Sequence, residues 1–250
     1  MKNNNENPGR MRRFLKSFTP YQTCYLTVVV LLVLVFTVFF PELILDETSS
    51  TIAVICSVIT VLANPLCELL ISKQSRLNFV VDFFFIELTY IIICLNQGWY
   101  TLLITVVCFW MPIDVISFLR WKKHPDIEDD NVTVVKRLPP KYAVLSVLAI
   151  VAFGLIFGYL MQFLPGAEDS YLEAFASAVG IANGILLMLR FHEQWIAWFI
   201  TCILYIVMDI SGGAYILLIT EAAMLVNTVY GFVRWLIYTR RRKTVVGIGR

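Results

Sequence analysis

The sequence predicts an all-α integral membrane protein: a seven-helix core of 3+1+3 parallel-repeat type plus one extra N-terminal transmembrane helix. Three observations predict this class. Apolar residues make up 59% of the 250 residues and charged residues only 15%, against about 25% charged in soluble domains. The apolar residues come in runs of about 20, which is the length of helix that crosses a bilayer. Finally, parts of the chain repeat each other in order.

Eight apolar runs are predicted to span the membrane. The first follows a basic stretch that includes Arg12 and Arg13, as in a signal peptide. Its apolar run is too long for one, and no small-x-small cleavage site follows it, so it is interpreted as a retained helix. The predicted spans are approximately 22–44, 50–72, 79–95, 98–119, 141–164, 171–189, 194–210 and 214–238.

The distribution of basic residues supports this count. All 20 Lys and Arg fall at one side of the membrane, or at the helix ends bordering it, if the N-terminus is cytoplasmic and the spans alternate. The opposite loops, around 45–49, 96–98, 165–170 and 211–213, carry none. This is the positive-inside pattern. We therefore expect a multi-pass protein of the plasma membrane with both termini in the cytoplasm.

An internal repeat relates spans two to four with spans six to eight, and the fifth span is the crossing that restores the orientation. The repeat predicts five segments: 1–49, 50–121, 122–170, 171–238 and 239–250. Such repeats are typical of transporters, whose substrate site lies between the two halves. Three pairs of segments match: Tyr100–Thr105 with Tyr215–Thr220, Phe118–Trp121 with Phe232–Trp235, and Ala63–Pro65 with Ala182–Gly184.

The last of these matches predicts a pair of helix breaks. Pro65 removes a backbone donor and Gly184 loosens a helix, and each follows an asparagine, Asn64 or Asn183. Freed carbonyls in a bilayer must face protein or a wet cavity. Breaks in corresponding helices therefore indicate a transport path, while simple helix packing is the alternative.

Acidic residues inside the spans indicate a functional or structural role, because each costs about 2.5–3.5 kcal/mol to insert at the bilayer centre. Glu87 lies near the middle of its span and Glu221 two turns into its span. No Lys or Arg lies at the depth of Glu87, so this acid either faces water or is protonated, and a cavity is favoured for both. For Asp82, Asp114 and Asp209 a position at the membrane interface remains open.

The seventh span carries a polar and aromatic stripe at spacings of three and four: Trp195, Trp198, Cys202, Tyr205 and Asp209. Such spacing places side chains on one helix face, and two Trp one turn apart offer flat faces to a planar ring. An aromatic belt at the interface is the alternative for Trp195, and Trp235 is expected to be an interface anchor. The candidate substrate-binding residues are Trp195, Trp198, Gln194, Cys202, Tyr205, Asn227, Glu87, Tyr90, Asn64 and Asn183.

Three motifs resemble the PnuC family of nicotinamide riboside transporters over about residues 50–238: Glu193-Gln194-Trp195-x-x-Trp198, Tyr230-Gly231-Phe232-x-x-Trp235 and Lys73-x-Ser-Arg76-Leu-Asn78-Phe79. The resemblance implies the 3+1+3 core, facilitated uptake of nicotinamide riboside with trapping by intracellular phosphorylation, and a homotrimer. Cys202 stands where the family usually has a pocket asparagine. Thiamine, riboflavin or a deoxynucleoside are therefore alternative substrates.

Other classes of protein are disfavoured. A net charge of +2 is too small to indicate binding of nucleic acid. The six cysteines lie in apolar runs without a CxxC, so neither a disulfide framework nor a metal site is predicted. No P-loop or catalytic motif occurs, so we expect no cofactor and no enzymatic activity. A substrate-binding subunit of an energised vitamin importer is a less favoured alternative. The expected partners are a small-molecule substrate and the lipid bilayer.

Overall fold

The computed structural model describes residues 18–40, 50–124, 133–164 and 169–248. Their architecture is all helical, with one isolated bridge between Lys136 and Phe191 and no strand within the described ranges. The predicted fold class is confirmed. The helices are α1 (Pro20–Phe39), α2 (Thr51–Ser72), α3 (Asn78–Gln97), α4 (Tyr100–Lys122), α5 (Pro140–Met161), α6 (Ser170–Met188), α7 (Gln194–Ser211) and α8 (Leu217–Ile248).

Seven of the described helices, α2 to α8, are long and apolar enough to cross a membrane, and α1 is apolar over Pro20–Phe36. Local sequence accounts for several helix ends. Thr19 and Gln22 form a capping box at the start of α1, and the Ser50 side chain accepts a hydrogen bond from the backbone N–H of Ala53 at the start of α2, which satisfies donors that a helix start leaves free. Helix α8 continues to Ile248, into the segment 239–250 that is predicted as a basic tail.

The expected helix breaks in α2 and α6 are wrong. Both helices are continuous α-helix through Asn64-Pro65 and Asn183-Gly184. The departures from α-geometry occur instead in α3 and α4, as π-helical segments over Asp82–Glu87 and Val106–Trp110. Such π segments are rare and are often found at functional sites.

The turns between helices repeat in detail. The turn from α2 to α3 holds Gln74 at φ 58°, and the turn from α6 to α7 holds Arg190 at φ 64°. The turn from α3 to α4 holds Gly98 at φ 70°, and the turn from α7 to α8 holds Gly213 at φ 68°. Left-handed residues are uncommon, so their recurrence 116 and 115 residues apart supports two copies of one three-helix unit.

This spacing corrects the match between Asn64 and Asn183. They are 119 residues apart, which is three residues more than the spacing of the helix ends. The residue of α2 that corresponds to Asn183 is Cys67. The two asparagines therefore lie about one helical turn apart in depth.

The two repeats hold each other through their first and last helices. The Trp121 indole N–H at the end of α4 donates to the carbonyl of Leu187 at the end of α6, at 3.2 Å. The corresponding Trp235 in α8 donates to the carbonyl of Ile71 in α2, at 3.3 Å. The last helix of each repeat is thus fixed to the first helix of the other repeat. Both repeats therefore contribute walls to the space enclosed between the two halves.

The same end of the bundle is basic and is crossed by the linker between the repeats. The backbone N–H of Thr133 donates to the Gln74 carbonyl at 3.2 Å, and that of Lys136 donates to the Arg190 carbonyl at 3.0 Å. Burial lowers the pKa of the nearby His192 imidazole, so the neutral ring can donate from Nε2 to the Phe232 carbonyl at 3.1 Å. The linker therefore ties together the corresponding turns of both repeats.

Helices α1 and α5 lie outside the paired repeats. The hydroxyl of Tyr25 in α1 donates to the Ala223 carbonyl of α8 at 2.9 Å. Helix α5 packs on α6 where Gly154 lies against the Phe175 ring and Gly158 against the Tyr171 ring, since small residues let membrane helices approach closely. Neither helix contributes to the cavity described below.

Candidate functional site

A small polar cavity lies between the two repeats, and residues from all six repeat helices line it. Its volume is about 60 Å³, whereas sites for small organic ligands usually enclose about 300–1,000 Å³. The cavity thus holds room for a few water molecules. A nucleoside-sized molecule can enter only if the lining side chains or the two halves move apart.

Residues at corresponding positions of the two repeats line this cavity. Tyr90 faces it from α3 and Tyr205 from α7, 115 residues apart, and further pairs lie 114 to 116 residues apart. The cavity therefore lies at the axis that relates the repeats. The other pairs among the lining residues are Cys67 with Asn183, Ile71 with Leu187, Asp82 with Trp198, Val106 with Glu221, and Trp110 with Met224.

The stripe predicted on α7 divides into two lines of side chains. Residues seven apart are offset by only about 20° on a helix, and residues three apart by about 60°. Trp195, Cys202 and Asp209 form one line and are 1%, 0% and 2% exposed, and they lie outside the cavity walls. Trp198 and Tyr205 form the other line and face the cavity.

Trp195 packs inside the protein. Its ring meets that of Trp235 edge to face, with centroids 5.6 Å apart and an angle of 88°. Phe79 and Trp121 form the corresponding pair in the first repeat, at 4.9 Å and 88°. The expectation that Trp235 is an interface anchor is wrong, because this side chain is 0% exposed and joins the two repeats.

Acidic side chains dominate the polar part of the cavity wall. They are Glu68, Asp82, Glu87 and Glu221, and none of the 17 lining residues is Lys, Arg or His. Two of these carboxylates have partners among the described residues: the Asn227 amide donates to Glu68 Oε2 at 3.4 Å, and the Cys202 thiol donates to Glu221. Oxygens of Glu87 and Glu221 are buried without a hydrogen-bond partner among the described residues.

Six of the ten candidate residues meet at the cavity: Asn64, Glu87, Tyr90, Asn183, Trp198 and Tyr205. The other four, Gln194, Trp195, Cys202 and Asn227, are buried outside its walls. Asn227 still acts on the site through Glu68. Cys202, which stands at the position of the pocket asparagine implied by the family resemblance, is 0% exposed and contacts the site through its hydrogen bond to Glu221.

The structure adds lining residues that were absent from the candidate set, above all Glu68, Asp82, Trp110 and Glu221. A signal for Asp82 and Glu221 existed, because both are acids inside predicted spans. Asp114 and Asp209, for which an interfacial position was open, are each 2% exposed and lie within the protein. Trp110 is apolar, so no charge marked it as a site residue. It ends the π segment Val106–Trp110, which could not be predicted from the sequence.

A second, larger space does not have the character of a polar site. It measures about 730 Å³ and lies between α1 and α8. Aliphatic and aromatic side chains line it, including Val28, Leu32 and Leu218. It holds no acid, amide or base, so it suits hydrocarbon chains of lipid better than a hydrophilic solute.

A helical membrane protein with a polar cavity on the axis between two repeats is a membrane transporter. Comparison with known proteins agrees with this class and narrows it. The chain belongs to the family described as nicotinamide mononucleotide transporter, whose family model matches residues 54–237. It is therefore a multi-pass membrane protein of a transporter family, and the expectation that it is not an enzyme is confirmed.

Named relatives and a solved structure resemble the chain. It is 25% identical to the nicotinamide riboside transporter PnuC of Haemophilus influenzae over 171 residues, covering 68% of this chain and 74% of that protein. It is also 25% identical to PnuC of Neisseria mucosa over 179 residues, covering 68% and 67%. A crystal structure of the vitamin B3 transporter PnuC shares the fold, with a TM-score of 0.74 and 21% identity over 92% of this chain and 97% of the other.

Proposed function

We propose that the protein carries nicotinamide riboside across the membrane by facilitated diffusion. The observation that carries this proposal is the cavity on the repeat axis, where aromatic side chains and unpaired polar groups meet. A flat pyridine ring with an amide and a ribose needs both kinds of contact, namely aromatic faces for the ring and hydrogen-bond partners for the hydroxyls. The two relatives are themselves named nicotinamide riboside transporters.

Within this site, Trp198 is proposed to stack on the ring, and Tyr90 and Tyr205 flank it from the two repeats. Asn183 lines the same cavity from α6, and its buried side-chain oxygen has no hydrogen-bond partner among the described residues. A substrate N–H or hydroxyl can satisfy this oxygen. Binding then replaces the desolvation cost of an unpaired group with a hydrogen bond.

The charge of the cavity favours the nucleoside over its phosphate ester. A phosphate monoester carries about −1.5 to −2 charges at neutral pH, and the lining offers four carboxylic acids and no base. Nicotinamide mononucleotide should therefore be a poor substrate, although the family description contains its name. Accumulation would follow from phosphorylation inside the cell, because the phosphate ester could not return through the same cavity.

Thiamine is the second candidate, because its thiazolium ring is also flat and permanently cationic. Riboflavin and deoxynucleosides offer flat rings without a fixed positive charge, so the acidic wall favours them less.

Uptake into proteoliposomes tests the proposal. Purified protein reconstituted without ATP should equilibrate labelled nicotinamide riboside faster than protein-free liposomes. Unlabelled nicotinamide riboside should compete, and nicotinamide mononucleotide at the same concentration should not. Thiamine, riboflavin and thymidine complete the panel. Uptake that requires ATP, or stronger competition by another member of the panel, would contradict the assignment.

The orientation and the assembly are further proposals. We propose that the basic end faces the cytoplasm, with both termini there, that the protein lies in the plasma membrane, and that it forms a homotrimer. The charge pattern supports the orientation. Described bases at this end include Lys73, Arg120, Lys136 and Arg190. The family resemblance supports the trimer.

Thiol labelling is expected to report this orientation. Ser211 and Lys123 are exposed and lie at opposite ends of the bundle. In intact cells, Ser211→Cys should react with a membrane-impermeant maleimide, and Lys123→Cys should react only after permeabilisation. The parent protein, with its own six cysteines, gives the background. The opposite pattern would reverse the assigned topology.

A further inference from the structure

Three carboxylates meet beside the cavity: Asp82 and Glu87 line it, and Asp114 adjoins them from outside the lining. One oxygen from each of Asp82, Glu87 and Asp114 lies within 4.8 Å of the others. The backbone explains how two acids of one helix can meet. Five residues apart on an α-helix they would point about 140° away from each other. The π segment runs from Asp82 to Glu87, and its hydrogen bonds join residues five apart, so one acid is stacked over the other.

These acids have little to stabilise them within the protein. Glu87 is 6% exposed and Asp114 is 2% exposed, and an oxygen of each is without a hydrogen-bond partner among the described residues. Burying such groups uncompensated is costly, and the cavity wall has no Lys, Arg or His.

Groups outside the cluster point to a ligand in the same cavity. The side-chain oxygen of Asn183 on α6 is buried and unpartnered, and so is one carboxylate oxygen of Glu221 on α8. Both residues line the cavity and are at most 4% exposed. The second repeat therefore also presents polar groups that the protein leaves unsatisfied.

The repeat relation places an aromatic face opposite the acids. Asp82 and Trp198 occupy corresponding positions, 116 residues apart, and both line the cavity. A flat ring stacked on Trp198 therefore lies between the indole and the carboxylates. A cation in that place gains from the ring face and from the acids together, and the gain grows where water is excluded.

We infer that Asp82, Glu87 and Asp114 form a counter-charge subsite that selects substrates with a fixed positive charge on their flat ring. The inference rests on the proposed function and adds its selectivity. Nicotinamide riboside is a pyridinium cation, whereas its 1,4-dihydro form has nearly the same shape and is neutral. The protein should discriminate between these two forms, and the three acids should be the cause.

Binding of the two forms to the purified full-length protein tests the inference. Wild-type protein should bind the pyridinium form at least about tenfold more tightly than the dihydro form. Glu87→Gln keeps the shape and removes one ionisable acid from the cluster, so it should weaken binding of the cation and leave binding of the neutral form within about twofold. The preference should then shrink to less than about threefold.

Glu173→Gln is the matched control. Glu173 is an equally buried acid on α6, where one oxygen accepts the backbone N–H of Leu102 at 2.9 Å, and it does not line the cavity. The glutamine keeps an acceptor oxygen, so the preference for the cation should persist. If Glu87→Gln does not fold, the comparison of the two ligands on the wild type still decides whether the site selects charge.

Three results would overturn the inference. Equal affinity of the wild type for both forms would remove the selectivity. Persistence of the full preference in Glu87→Gln would show that the acids do not cause it. Competition between sodium ions and the pyridinium form, relieved in Glu87→Gln, would assign the cluster to an inorganic cation. By contrast, failure of the wild type to bind either form would contradict the proposed function itself.

Discussion

Replacing Trp198 with alanine is expected to weaken binding of nicotinamide riboside by roughly tenfold to a hundredfold. Trp198 is the tryptophan of α7 that faces the cavity. Stacking of a base on an aromatic side chain contributes about 1–3 kcal/mol in proteins that bind single-stranded nucleic acid, and about 1.4 kcal/mol corresponds to a factor of ten. Calorimetric titration of the purified protein measures the change.

A conservative replacement separates stacking from a general disturbance of the helix. Trp198→Phe keeps an aromatic face and should retain affinity within about fivefold of the wild type. Both variants should keep the elution volume of the parent, and Trp198→Ala should lower the apparent Tm more than Trp198→Phe, since the ring also packs against two core clusters. If Trp198→Ala bound the substrate as tightly as the wild type, α7 would not line the site and the proposed function would lose its main support.

The membrane architecture could be predicted because bilayer physics leaves few choices. An apolar run of about 20 residues must be helical to satisfy its backbone, and the side on which the basic residues lie predicts the orientation of each run. The observed α2, Thr51–Ser72, and α6, Ser170–Met188, therefore end within two residues of their predictions. Helix α8 ends at Ile248, beyond the predicted end at 238, because a basic segment outside the bilayer can continue a helix without any hydropathy signal.

The separate roles of the two tryptophans in α7 could not be predicted. Three residues on a helix are about 60° apart, so a stripe with spacings of three and four contains both. Which side of the stripe meets the cavity depends on how α7 packs against its neighbours. Gly231 of α8 decides this locally, because a side chain there would overlap the Trp195 ring, and only a glycine lets that ring reach the core.

The acids show a different limit. Sequence alone identified Glu87 as an intramembrane acid without a basic partner at its depth, and the structure places it in the cavity wall. The sequence alone could not predict that the Asp82 and Glu87 side chains would meet, because regular α-helical geometry turns them to different faces of the helix. The π segment changes that geometry. Neither Gly nor Pro lies between Asp82 and Glu87, so no residue type there signals the change.

Replacing Trp195 with alanine is expected to have the largest effect on stability. The ring is 1% exposed, meets Trp235 edge to face and lies against Gly231. Deleting a buried Trp from a well-packed core costs about 3–5 kcal/mol in soluble proteins, and close packing is also what holds membrane helices together. The apparent Tm of the purified protein should fall by about 10 °C.

The internal repeat supplies the matched control for this change. In the first repeat, Phe79 occupies the corresponding position and forms the same edge-to-face pair with Trp121. Trp195→Phe should therefore restore most of the lost stability and lower Tm by no more than about 4 °C. Because Trp195 lies outside the cavity, folded protein of either variant should bind nicotinamide riboside within about threefold of the wild type. Unchanged Tm with abolished binding in Trp195→Ala would mean that the two tryptophans have exchanged roles, with Trp195 stacking on the substrate and Trp198 packing in the core.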